Sequence, residues 1–179
     1  MNTQRKISAK PPRFHQDYSI YFLTFCTDKR LPLLHKEGIP ELLEENILFY
    51  RARVSQVIAY TIMPDHIHAL VEVEKVNQLS IFLRDFKKHT SKEIKKHLSI
   101  DAKHIWQRGT MDHCIRVSWK NKDYQNHLEY IFYNSYKHLA IKPQDYQYHN
   151  FNEIVERGLV DPVFFDFDEK EFPLQKLYE

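Results

Sequence analysis

Met63-Pro64-Asp65-His66-Ile67-His68-Ala69-Leu70-Val71-Glu72-Val73 reads as a turn feeding a β-strand that opens with two histidines flanking one isoleucine. Side chains alternate across a strand at roughly 3.3 Å per residue, so His66 and His68 face one way with Cα atoms about 6.6 Å apart. Ile67, Ala69, Val71 and Val73 take the opposite, apolar face. Two imidazoles at that separation can grip one ion. In a chain with 11 histidines they can equally be a hydrogen-bonded pair, and the motif alone leaves both readings open.

Residues 56–63 (QVIAYTIM) form a second strand just upstream, and a link as short as Pro64-Asp65 predicts an antiparallel hairpin. Residues 18–27 (YSIYFLTFCT) are aromatic and β-branched on both faces, which predicts a central strand. Between them residues 39–53 follow Gly38, carry Pro40 in the first turn, and repeat Leu42, Leu43, Ile47, Leu48 and Tyr50 at helical spacing. Residues 79–98 form a long amphipathic helix with Leu79, Phe82, Leu83, Phe86, Ile94 and Leu98 on its apolar face. After a loop at residues 105–109, residues 112–117 (DHCIRV) form a fourth strand. The order strand, helix, strand, strand, helix, strand predicts an α+β, ferredoxin-like sandwich: an antiparallel sheet with both helices on one face. The histidines then point to the other face.

A second stretch, Tyr124-Gln125-Asn126-His127-Leu128-Glu129-Tyr130-Ile131-Phe132-Tyr133-Asn134, lies in a segment free of Gly and Pro from residue 118 to 139. Leu128, Ile131, Ser135 and Leu139 recur at helical spacing, predicting about five turns of helix. Tyr130 and Asn134 are neighbours at i and i+4, flanked by His127 and Lys137. A nucleophilic hydroxyl and an oxygen ligand would share one edge, although a tyrosine in so aromatic a chain can also be a packing residue.

At 179 residues the chain is long enough for one domain, expected at 1–160 with a basic arm over 1–17 and an acidic tail over 161–179. Residues 151–179 hold eight acids and three bases, a net of −5 that leaves +7 for residues 1–150 against a whole-chain charge of +2. A basic body suits a polyanion partner. Candidate phosphate contacts are Arg13 in the arm, Arg84, Lys87, Lys88, Lys92 and Lys95 along the long helix, Arg108 in the loop, and Lys137. Only three glycines occur, too few for a phosphate-cradling loop, which argues against a nucleotide cofactor. Two cysteines read as free thiols rather than a disulfide or a zinc site. No run approaches the roughly 18 apolar residues of a membrane span and the first residues do not read as a signal peptide, so a cytoplasmic location is expected.

The ordered set of motifs resembles one family, the REP-associated tyrosine transposases of the HUH single-tyrosine nuclease superfamily. Met63-Pro64-Asp65-His66-Ile67-His68 is similar to its Met-Pro-Asn-His-hydrophobe-His signature, and Lys87-Lys88-His89-Thr90, Ile105-Trp106-Gln107, Asp123-Tyr124, Glu129-Tyr130-Ile131 with Asn134, Lys137-His138 and Arg157-Gly158-Leu159 follow in the family's order. The match runs from about residue 18 to 159. The chain departs from the pattern at Ser135, where the family usually has proline, at Leu139, often glycine, and at Tyr146-Gln147-Tyr148, where a tryptophan-led motif is usual.

The resemblance implies that Tyr130 is the nucleophile, that His66, His68 and Asn134 hold Mg²⁺ or Mn²⁺, and that the substrate is single-stranded or hairpin DNA beside palindromic repeats. It implies cleavage and rejoining through a 5′-phosphotyrosine, by a monomer, with a dimer as the other possible state. Two other readings remain open on the same fold: a hairpin-binding regulatory protein without catalysis, and a metal-dependent hydrolase in which Tyr130 only packs.

Overall fold

The computed structural model describes residues 16–115 and 122–160. Four strands, β1 (Ser19–Cys26), β2 (Gln56–Ile62), β3 (His66–Val73) and β4 (Met111–Cys114), form one sheet in the order β2-β3-β1-β4. Every neighbouring pair is antiparallel. Helices α1 (Ile39–Tyr50) and α2 (Val76–Leu98) follow β1 and β3, and α3 (Asp123–Leu139) and α4 (Phe151–Glu156) follow β4. The expected ferredoxin-like α+β arrangement is what the chain adopts, with β1 and β3 as the two central strands.

The alternation of β3 divides the interior into two cores. Ile67, Ala69, Val71 and Val73 join Leu23, Phe25, Leu43, Ile47, Phe82, Phe86 and Ile94 in a core between the sheet and α1 and α2. Leu70, on the histidine side, joins Phe22, Leu128, Ile131, Phe132 and Phe151 in a second core beneath α3 and α4. A bulge between Val57 and Ala59 shifts the β2 register by one residue, so Ile58 and Ala59 both reach the second core.

Local chemistry sets the element ends. Gly38 enters α1 at φ +75°, and a β-carbon there would meet the His97 ring at 2.7 Å, so only glycine fits. Trp106, buried where the loop pairs with Thr27, donates its indole N–H to Thr90 Oγ1 at 3.0 Å and ties the loop to α2. The edge of β2 is covered, since Ile62 N–H donates to Tyr148 O at 2.9 Å and Tyr60 N–H to Asn150 Oδ1 at 2.9 Å. Tyr146 donates to Ile62 O and lies 2.7 Å from His35 Nε2, so the motif that departs from the family is part of this edge closure.

Several expected boundaries shift. The long helix starts at Val76, where Gln78 Oε1 accepts from the Lys75 N–H and Asp17 Oδ1 from the Val76 N–H, both at 2.9 Å, and β4 begins one residue early at Met111. Leu48 is half exposed and only Ile39, Pro40, Leu43 and Ile47 are buried in α1, a narrower stripe than the periodicity predicts. Cys26 and Cys114 are free and half-buried. The basic arm with Arg13, the end of the predicted fourth strand, the start of the predicted tyrosine helix and the acidic tail lie outside the described residues.

Candidate functional site

His66 pairs with Cys26 and His68 with Thr24 across the β1–β3 ladder, which puts both imidazoles at one end of the sheet on the α3 side. Both are buried, at 3% and 5% exposure. Their rings lie 4.7 Å apart and nearly perpendicular. Each Nδ1 is already engaged: Asp65 Oδ1 lies 2.6 Å from His66 Nδ1, and Thr24 Oγ1 lies 2.8 Å from His68 Nδ1. Occupying Nδ1 in this way orients the ring and directs its remaining nitrogen, Nε2, toward any ligand. Burial holds the pKa of His66 below the ordinary histidine value against the opposing pull of Asp65, and burial drives His68 well below it. Both are therefore neutral near pH 7, the state a metal requires.

Helix α3 crosses β2 and β3 and delivers the other two residues. Tyr130 sets its ring edge-on to His68 at 5.3 Å and to Phe22 at 5.9 Å. Phe22 is the shared floor, stacked on His68 at 5.2 Å. Burial raises the Tyr130 phenol, with the Asn134 amide and the Arg30 charge acting against it, and Lys137 Nζ lies 5.5 Å from the centre of its ring. Asn134 is fully buried one turn on. Its Nδ2 donates back to Tyr130 O, which fixes the amide, while its Oδ1 is buried with no hydrogen-bond partner among the described residues. An acceptor stripped of water and left unpaired costs about 1 to 3 kcal/mol, so such an atom calls for a ligand. Two neutral imidazoles and one unsatisfied amide oxygen fit a divalent ion that favours nitrogen and oxygen donors.

Three neighbours to which the sequence reading gave no role complete the centre. Asp65 bridges His66 to Arg30, whose Nε lies 3.0 Å from Asp65 Oδ2. Arg30 sits at the left-handed φ of 58° after Lys29 at 54°, a strained pair that turns the guanidinium back toward the histidines. His138 places its ring 5.6 Å from His66. Asp65 was readable, as a carboxylate directly before a candidate ligand. Arg30 was not, because 35 residues separate it from Asp65 in the chain.

Ser135 is also fully buried and bonds Phe132 O, so the helix runs unbroken to Leu139 where the family usually places a proline. His127, expected on the Tyr130 flank, has its Nδ1 2.7 Å from Asp123 O and stacks on His113 at 5.0 Å, with Phe22 in contact with it at 4.7 Å. His113, Asp123 and His127 form a possible metal site, their ligating atoms within 4.8 Å of one another.

The basic candidates divide. Lys137 is beside Tyr130, but Arg84, Lys87, Lys88, Lys92 and Lys95 all lie on α2, across the sheet from the histidines, and Arg108 is exposed in the loop beyond. The lysine-rich flank is thus separate from the tyrosine centre, because α2 packs on the apolar face of β3.

Residues 16–131, well over half of the chain, match the family described as Transposase IS200 like. The chain belongs to that family. An Escherichia coli REP-associated tyrosine transposase is 31% identical over 112 residues, 61% of this chain and 62% of the relative, and a second relative of that type from Haemophilus influenzae is 31% identical over 111 residues, 56% of this chain and 61% of the relative. The chain thus spans about three fifths of the length of these relatives. A solved structure of a REP-associated tyrosine transposase bound to a REP hairpin superposes with a TM-score of 0.70 over 92% of this chain and 95% of that one, at 24% identity. The resemblance read from the motifs is borne out. Among the described residues no helix is long and apolar enough to cross a membrane.

Proposed function

We propose that this family member is a metal-dependent nuclease and strand transferase for single-stranded or hairpin DNA, with Tyr130 as nucleophile and His66, His68 and Asn134 as the residues that hold Mg²⁺ or Mn²⁺. The observation that carries the proposal is the unsatisfied Asn134 Oδ1, buried one helical turn from a tyrosine whose ring meets His68 at 5.3 Å. When bound, the ion supplies Lewis acidity at the scissile phosphate.

Tyr130 Oη attacks phosphorus and the P–O3′ bond breaks. The phenolic proton is lost and the departing 3′-oxygen becomes a hydroxyl. The 5′-phosphotyrosine preserves one phosphoester bond, so a 3′-hydroxyl can reverse the attack and join strands without ATP. Arg30, whose charge acts on the phenol, and Lys137, its Nζ 5.5 Å from the centre of the ring, supply positive charge for the phosphate oxygens. The solved relative bound to a REP hairpin supports hairpin DNA as the partner. The reading includes one domain over residues 1–160, a monomer, and action in the cytoplasm.

The test is incubation with Mn²⁺ and labelled hairpins drawn from repeats beside the protein's own gene, followed by a denaturing gel. A labelled protein band that requires metal and is lost in Tyr130→Phe is expected. Cleavage retained by that variant would make the protein a hydrolase, and hairpin binding with no band would make it a binding protein.

A further inference from the structure

Where the first turn of α3 meets the β4 edge, a strand and a helix bring two imidazoles and a carboxylate to one place. His113 Nε2 lies 3.2 Å from Asp123 Oδ2, His127 Nδ1 lies 3.0 Å from Asp123 Oδ1, and one ligating atom from each residue falls within 4.8 Å of the others. Donors bound to one tetrahedral ion at 2.0 to 2.1 Å stand about 3.3 Å apart, so two of these contacts are already at ligand spacing. The backbone oxygen of Asp123, 2.7 Å from His127 Nδ1, is a further oxygen beside the same nitrogen. Asp123 and His127 are one helical turn apart, and His113 comes from the strand facing them, its ring stacked on that of His127 at 5.0 Å and 15°. The cluster is graded in depth: the His127 side chain is 6% exposed, Asp123 15% and His113 44%, which leaves a path to solvent past His113.

This cluster is separate from the tyrosine centre. His68 pairs with Thr24 and His113 with Phe22, so their Cα atoms lie two strand spacings across and two residues along the sheet from each other, about 12 Å. Paired ions that share one phosphate sit roughly 3.5 to 4 Å apart, so an ion at His113 is not the partner of an ion at His68. The two centres are nevertheless mechanically joined. Phe22 touches His68, Tyr130 and His127, and His127 precedes Tyr130 by a single turn of α3.

We propose that His113, Asp123 and His127 bind one transition-metal ion of the Zn²⁺ class, which fastens the first turn of α3 to β4 and so sets the helix that carries Tyr130. Two nitrogens and one carboxylate are the donor set of Zn²⁺ and its neighbours, whereas Mg²⁺ and Ca²⁺ take oxygen. Without the ion the three side chains are hydrogen-bonded to one another. The ion replaces those bonds: each imidazole binds it through a lone pair, neutral, with its proton on the other ring nitrogen, and the carboxylate supplies the negative charge. The site does not depend on the DNA-cleaving reading above.

The experiment is equilibrium dialysis of the full chain against Zn²⁺, comparing wild type, His113→Ala, Asp123→Ala and His104→Ala, the last an exposed histidine outside the cluster. His113 is itself exposed, so its variant keeps the fold. Wild type and His104→Ala are expected to hold one equivalent of zinc more than His113→Ala and Asp123→Ala. An ion at His66 and His68 is counted in every protein, so failure of that centre lowers all the counts together and leaves the difference intact. Hydrogen exchange of the α3 amides is expected to slow with Zn²⁺ in wild type, by about 10-fold or more, and to slow less in His113→Ala. Equal counts in wild type and His113→Ala, or an equivalent lost from His104→Ala as well, overturn the site. Zinc bound at full count with no slowing of α3 exchange overturns its fastening role.

Discussion

Arg30 and His66 are joined through one carboxylate: Asp65 lies 3.0 Å from Arg30 Nε on one oxygen and 2.6 Å from His66 Nδ1 on the other. The linkage fixes the ring angle of His66 and leaves its other nitrogen for a ligand. Asp65→Asn is expected to weaken Mn²⁺ binding about 10- to 100-fold in calorimetric titration, with hairpin affinity unchanged. An unchanged Mn²⁺ affinity would separate His66 from metal binding.

Asn134→Leu tests the unsatisfied oxygen. Removing a buried unpaired acceptor raises metal-free stability by about 1 kcal/mol. Wild type in Mn²⁺ at a hundredfold excess over Kd gains about 2.7 kcal/mol that the variant lacks. Thermal melts with and without Mn²⁺ read both effects, and equal metal stabilisation of the two proteins would remove Asn134 from the ligand set.

Phe22 touches His68, His127 and Tyr130. Phe22→Ala opens a cavity beneath all three and is expected to cost about 3 to 5 kcal/mol in urea unfolding. A cost under about 1 kcal/mol, in the range of an exposed substitution, would show that the ring is not the floor on which they are set.

Lys87 has an ordinary value of 10.5 when unfolded and about 8 when folded. Between those values the unfolded chain binds more protons, so folding stability rises with pH across that window and the penalty is fully present below about 8. Lys87→Met is expected to raise Tm at pH 7 and to flatten the rise between pH 8 and 10. A variant that keeps the wild-type slope would assign that slope to another group.

Much of the candidate site is legible before folding because it is built from short periods. The His66-Ile67-His68 alternation assigns two faces of β3, and the Tyr130 to Asn134 interval assigns one edge of α3. The α2 lysines show the limit of such reasoning: their helical spacing identifies one basic flank, but not which side of the sheet it will occupy. That side follows from the packing of Phe82, Phe86 and Ile94 against the strand face opposite the histidines. Element ends were shifted by side-chain caps and by the β2 bulge, which depend on single contacts rather than on periodicity.

The sequence by itself determined the order of elements, the antiparallel sheet and the side of β3 on which the histidines lie, because each follows from residue periods of two or 3.6 along a continuous chain. Tertiary structure alone decided that Arg30 reaches Asp65, that Thr24 holds His68, that Phe22 supports the tyrosine, and that a cavity opens behind β4. These contacts join residues on separate strands, helices and loops, and the packing of two cores against one sheet is what brings them within bonding distance.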